Sequence, residues 1–286
     1  MGALIARNLK VFFRDRTAVV MSFFSDFVMI ALYAMFLRDQ LLNIGFDGAD
    51  RIVDTWIIAG IIAVTSMTTT LGGLATMVDD RVSGVQRDFL VTPIRRSALA
   101  GAYALASFMI GALLTLCTFV LGEVFVVAQG GTALNAADTV IAGAGILLSV
   151  ASSGAIVFFI TSLLRSTTAY SMTSLIVGVS IGFLTGAYIP IGTLSESMQY
   201  VVKLFPVSYA SSFFRFVLTD APLRDLMDSG APVSLIEDIR RELGIFYDFD
   251  GVHTTTATAV WVMAATAVVF FLLAWWGFNV KRKSVA

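Results

Sequence analysis

The sequence holds one cysteine, one histidine and five prolines, and only 14% of its 286 residues are charged. Each shortage excludes something. Cys117 alone closes no intramolecular disulfide, and together with His253 it falls short of a zinc ligand set. No Gly-x-x-x-x-Gly-Lys-Ser/Thr loop is present, so the chain does not hold a nucleotide by that route, and no His-Glu-x-x-His occurs. Nineteen basic residues stand against 20 acidic ones, and no basic stripe with interleaved aromatics points to nucleic acid. The first 16 residues lack a continuous apolar core with a cleavage site, so no secretory signal is expected.

What fills the chain is apolar: 57% of residues are hydrophobic, and the few charges sit in clumps. Soluble domains carry charge on roughly a quarter of their residues, whereas runs of about 20 apolar residues span a bilayer as helices. Six spans are expected, at about 17–37, 56–77, 98–128, 139–163, 168–189 and 257–279. The fold class is therefore an all-α integral membrane protein, a single transmembrane domain over residues 1–286. Ahead of the first span, Ile5, Leu9, Phe12 and Phe13 fall on one helical face and Arg7, Lys10 and Arg14 on the other. Residues 1–16 thus read as an amphipathic helix lying in the membrane interface.

Placing the N-terminus in the cytoplasm puts twelve of the nineteen Lys and Arg on that side: Arg7, Lys10, Arg14, Arg16, Arg81, Arg87, Arg95, Arg96, Arg165, Lys281, Arg282 and Lys283. The short outer loops then hold only Arg38 and Arg51. That asymmetry puts both termini inside. Residues 190–256 lie outside. Pro190 and Pro206 break apolar stretches too short to span, and Thr193-Leu-Ser-Glu196 has capping-box spacing, so 190–219 reads as an external re-entrant hairpin with helices to Phe205 and to Thr219. Residues 220–256 read as a small polar external segment, with a helix opened by Ser234-Leu-Ile-Glu237 and stopped at Gly244.

Catalytic chemistry finds little support. Gly178-Val-Ser-Ile-Gly182 matches a nucleophile elbow, but Ser180 lies mid-span without the strand-to-helix turn the elbow needs. Asp26 and Glu123 are acids placed in two different spans, too far apart in the sequence pattern to suggest an aspartyl pair. An ionisable group within a span faces a cavity or a partner. Ser22, Asp26 and Tyr33 share a face of the first span, Thr65 and Thr69 one of the second, and Thr173 lies on the fifth. These read either as a mildly polar translocation path or as hydroxyls bonded to their own backbone. Gly178, Gly182 and Gly186, four apart, offer a flat face for packing within the chain or across a dimer.

The most informative stretch is 79–96, compact and charged between two long apolar runs. It suits a part through which a membrane protein is pushed by something soluble. Residues 84–101, Gly-Val-Gln-Arg-Asp-Phe-Leu-Val-Thr-Pro-Ile-Arg-Arg-Ser-Ala-Leu-Ala-Gly, together with Gly186-Ala-Tyr-Ile-Pro190, Phe205-Pro-Val-Ser-Tyr-Ala210 and Arg215, make the chain resemble the permeases of ABC-2-type exporters. Val85-Gln86 departs from the threonine-glutamate common in that family. The resemblance implies a coupling helix at 79–90 that docks on a separate ABC ATPase, with Asp79, Asp80, Arg81, Arg87 and Asp88 as polar contacts and Phe89 and Leu90 as an apolar plug. It also implies no cofactor on this chain, ATP and Mg on two copies of the ATPase, pairing with a second copy of itself or a related permease, and a bacterial inner membrane. The expected function is ATP-driven export of a lipophilic small molecule, as in multidrug efflux. A lipid-linked glycan exporter and a stand-alone channel or secondary carrier are the alternatives.

Overall fold

The computed structural model describes residues 1–33, 49–249 and 251–280. The side chains of Ser25, Asp26, Leu32, Ala49, Leu90 and residues 277–280 lie outside that description. The described chain is built of helices: α1 (Gly2–Arg14), α2 (Arg16–Leu32), α3 (Ala49–Gly73), α4 (Ala75–Val82), α5 (Val85–Leu90), α6 (Arg96–Ala128), α7 (Ala136–Leu163), α8 (Thr167–Leu184), α9 (Glu196–Leu204), α10 (Ser208–Asp228), α11 (Val233–Glu242) and α12 (Thr256–Val280). A two-stranded hairpin, β1 (Asp248–Phe249) and β2 (Val252–His253), precedes α12.

Among the described residues five helices are long and apolar enough to cross a membrane, and the bent pair α9–α10 would make a sixth. The first expected span is covered in part by α2, and its remainder, 34–37, lies outside the described residues. Two spans are longer than a bilayer needs. Helices α3 and α4 run on through Leu74 as one rod, Asp50–Val82, and both this rod and α6 have 33 residues. At about 1.5 Å per residue each is roughly 50 Å long, against about 30 Å of hydrocarbon. The end of the bundle that carries α1, α4 and α5 is here the charged-loop end.

The α3–α4 rod is the axis of the bundle, with 89% of its apolar stretch buried within the chain. Helices α6, α7 and α10 pack around it, and α12 lies against α7 and α10. Helix α8 is the opposite case, with only 11% of its apolar stretch covered. Two apolar clusters fill the bundle. One lies toward the far end around Trp56, Phe213, Phe214 and Tyr247. The other lies toward the charged-loop end around Leu71, Met77, Leu99 and Phe158. Helix α1 joins through a third, where Phe12 is buried against Ile110 and Leu114 of α6. Phe12, with Leu9 and Leu4 packed partly buried on the bundle, therefore grips protein, while Phe13 stays exposed. The helix ends at Arg14, two residues short of expectation, because Asp15 leaves it and caps α2 through Oδ1, accepting from Ala18 N at 3.1 Å.

The far end departs from the sequence expectation in three ways. Helices α9 and α10 meet at 92° across Phe205-Pro206-Val207, an elbow rather than an antiparallel hairpin. Helix α10 runs through Pro222 to Asp228, nine residues past Thr219, with Asp220 and Arg224 paired at 2.7 Å on its surface. Neither capping box forms: α9 starts after Ser195 and α11 after Pro232, each without a side-chain cap. Helix α11 does stop where expected, at Gly244, which has φ +65°.

Close packing is set by small residues. A Cβ on Gly145 of α7 would overlap the Phe213 ring of α10, whereas one on Gly143 would meet open space. Overfilling a packed core costs about 1–3 kcal/mol. Gly145→Val is therefore expected to lower the apparent melting temperature of detergent-purified protein by roughly 5 °C. Gly143→Val on the same helix should leave it unchanged.

Candidate functional site

At the charged-loop end the expected single helix over 79–90 is two. Helix α4 stops at Val82, Gly84 takes φ +88°, and α5 starts at Val85 at a new angle. A left-handed residue suits glycine and breaks the helical path. Asp79, Asp80 and Arg81 thus belong to the end of the α3–α4 rod, and only Arg87, Asp88, Phe89 and Leu90 belong to α5.

The two groups have different surroundings. Asp80 is 5% exposed. It forms a two-pronged ion pair with Arg7 of α1, with Nη2 donating to Oδ1 at 2.8 Å, and it accepts from the Tyr103 hydroxyl of α6 at 2.6 Å. One carboxylate thereby joins α1, α4 and α6. Arg81 reaches the last turn of α7, where Nη1 donates to the Leu164 carbonyl and faces those of Thr161 and Ser162. A cation there complements the negative helix terminus. Both side chains are occupied within the chain, where the family resemblance implies partner contacts. Asp79, Arg87 and Asp88 are exposed.

Phe89 is turned inward. It packs on the charged-loop-end core, and the Arg7 guanidinium lies 5.6 Å from its ring centre. At this tip Val91 is 87% exposed and Val82 is exposed as well. The side chain of Leu90 lies outside the described residues.

The expected path residues fall in separate surroundings. Tyr33 is buried and donates to Asp54 Oδ1 of α3 at 2.9 Å. Ser22 bonds the Ala18 carbonyl of its own helix at 2.8 Å. Thr65 and Thr69 are buried within the rod, and Thr69 bonds the Thr65 carbonyl at 2.6 Å. Thr173 is half-buried on α8. The side chain of Asp26 lies outside the described residues. Glu123, half-buried near the far end of α6, accepts from Leu134 N at 3.0 Å.

The glycine stripe divides as well. Gly178 faces open space on α8, Gly182 is covered by the Tyr188 ring, and Gly186, beyond the end of α8, takes φ +65°. The three do not form one continuous flat face, because α8 ends at Leu184 and the chain turns back on itself.

That turn surrounds the second notable group. Arg215 of α10 is fully buried. Its Nη2 donates to the Gly186 carbonyl at 2.6 Å, and its guanidinium lies 4.9 Å from the ring centre of Trp56 on α3. Trp56 in turn donates to the Leu243 carbonyl at 2.8 Å. Among the described residues Nε and Nη1 of Arg215 have no hydrogen-bond partner, and no carboxylate pairs with it. Gly60, Gly186 and Gly244 make the room: a Cβ on any of them would come within 3.0–3.8 Å of a guanidinium nitrogen. Nearby, Tyr247 donates to the Ser208 carbonyl at 2.8 Å. Burial pushes its phenol up to about 12, so it remains a donor at any physiological pH.

The arrangement is thus an exposed charged knuckle at one end, wired through Asp80 and Arg81 to α1, α6 and α7, and an arginine pin at the other, tied to the ends of α3 and α8. Compared with known protein families, residues 18–276 match the model of the ABC-2 family transporter proteins. No curated protein matches the chain. The match covers most of the chain, its helices are long and apolar enough to cross a membrane several times, and the protein accordingly belongs to the ABC-2 transporter family as a multi-pass membrane permease.

Proposed function

We propose that this chain is the permease subunit of an ATP-driven exporter in a bacterial cytoplasmic membrane. Two copies pair, each bound to one copy of a separate ABC ATPase, and both termini and the charged loop face the cytoplasm. ATP and Mg are held by the ATPase. The observation that carries the reading is the placement of α5. It is a six-residue helix, Val85–Leu90, set beyond a left-handed break at the tip of a rod longer than the bilayer, with Arg87, Asp88 and Val91 turned outward. An element held clear of the membrane by a helix that reaches the far end suits the receipt of force from a soluble partner.

Helix α8 supports the pairing. It carries no charged residue, and Met172, Leu175, Ile176, Val179 and Phe183 are exposed along one face. A path walled by α8 from each copy is apolar, which favours a lipophilic small molecule as cargo. The elbow of α9 and α10 closes the outer side. ATP binding then drives export only by favouring one arrangement of the helices over the other.

The test is Arg87→Ala with Asp88→Ala. Two exposed hot-spot contacts of more than about 1 kcal/mol each amount to a tenfold or greater loss of ATPase co-purification, with the permease still inserted in the membrane. Undiminished co-purification sinks the docking assignment. In liposomes the purified chain alone should transport nothing, and uphill transport without an ATPase would mark a secondary carrier.

A further inference from the structure

A cavity of about 700 Å³ runs along the bundle between α6, α7 and α12, away from α8. Its size falls within the range of about 300–1,000 Å³ for sites that bury a whole small ligand. Its walls are Gly101, Ala104, Ala151 and Gly154, with Phe271 and Trp275 along one side. Small residues make a trough and rings make its flank. One end is different: Arg95, at the start of α6, stands at the mouth on the charged-loop side, with Met1 beside it, its Cε against Gly101. Arg95 is exposed and makes no ion pair among the described residues. Trp275, near the end of α12, sits toward the same level, where indole rings mark the boundary between hydrocarbon and headgroups.

We infer that this trough is a binding site for one anionic phospholipid of the leaflet on the charged-loop side, with its phosphate on Arg95 and an acyl chain between α6, α7 and α12. An acyl chain gains little by leaving bulk lipid for an equally apolar wall, so the headgroup decides which lipid stays. Arg95 at the mouth selects negative charge, and a basic residue at an anionic membrane surface favours such a lipid about fivefold. The inference rests on the bundle crossing a membrane and is independent of the export reading.

The experiment places the full chain in nanodiscs containing equal amounts of phosphatidylglycerol and phosphatidylcholine. Each lipid in turn carries a photoreactive group on its acyl chain, and labelled peptides are mapped by mass spectrometry. Phosphatidylglycerol is expected to label the peptides bearing Gly101–Leu105 or Gly154–Phe158 about fivefold more than phosphatidylcholine. Arg95→Gln, at an exposed position, should remove that preference while leaving the total labelling similar. Ala151→Trp should reduce labelling of the trough by either lipid, with labelling of α8 as the internal control. Equal labelling by the two lipids, or a preference that survives Arg95→Gln, overturns the proposal. So does crosslinking of the trough to a second copy of the chain. Failure of these outcomes leaves ATPase co-purification untouched, so the two readings are separable.

Discussion

Arg215→Ala is expected to lower the apparent melting temperature of the purified protein by about 6–12 °C. The reasoning starts from what the substitution leaves behind. The Gly186 carbonyl loses its donor in a buried setting, which costs about 1–3 kcal/mol. The Trp56 face loses a desolvated cation worth about 2 kcal/mol. A side-chain volume is also emptied between the glycines that made room for it. Against this, burying a guanidinium is itself unfavourable by several kcal/mol, and here no carboxylate offsets it among the described residues. For alanine the cavity and the orphaned carbonyl win, for a net loss of about 3 kcal/mol. Arg215→Met fills most of the space and removes the buried charge, so it is expected to recover most of the melting temperature. If methionine is as damaging as alanine, the charge contributes net stability through the single carbonyl and the ring, and the accounting above is wrong. If methionine does recover the fold, the arginine is kept for something other than holding the protein together. Under the proposed function, that role is in opening the outer side, and export by the methionine variant then reads it directly.

Asp80→Ala should detach α1. The carboxylate has two donors, Arg7 and Tyr103, from two other helices. A fully buried ion pair costs about 3–5 kcal/mol to break from one side. The Arg7 side chain is 35% exposed and can turn to water, so the expectation is nearer 2 kcal/mol, or about 4–8 °C. Asp80→Ala should cost more than Arg7→Ala, because it also strands the Tyr103 hydroxyl. In a double-mutant cycle the pair should couple by at least about 1 kcal/mol. Limited trypsin digestion gives an independent reading, since Lys10 and Arg14 lie on α1 and should be cut faster in the Asp80 variant. Additive effects with unchanged cleavage would refute the tie. If α5 is the docking element, this same variant is expected to keep ATPase binding and lose transport, which separates relay from docking.

The second to sixth expected spans were legible because their signal is length and apolarity, properties that need no partner to be read; the first, of which α2 covers 17–32, is not among the described helices that qualify. The stop at Gly244 was legible without a partner as well. The break missed at short range was also written in the chain. Ser83-Gly84 is a turn dipeptide, and it precedes the change of element to α5. What could not be read is tertiary. Arg81 looks like any solvated charge until α7 ends beside it, 83 residues away along the chain. Phe89 looks like a plug until α1 places Arg7 across its ring. The spacing of Gly178, Gly182 and Gly186 suggests one face only if the helix persists, and it ends before the third. The capping boxes failed for a local reason: Thr193 ends a 3-10 turn with its hydroxyl donating to the Pro190 carbonyl at 2.8 Å, and Ser234 lies inside α11, which starts at Val233.

The long central rod has a mechanical consequence. It is packed by α6, α7 and α10, and under the proposed function a thrust at the knuckle is expected to tip the block together. A stiff beam balanced near the middle of the membrane moves its two tips in opposite senses, as a seesaw does. Trp56 and the ends gathered by Arg215 ride on the far tip. Under the proposed function, closing one mouth and parting the other then need no message relayed from residue to residue and become the two ends of one rigid swing.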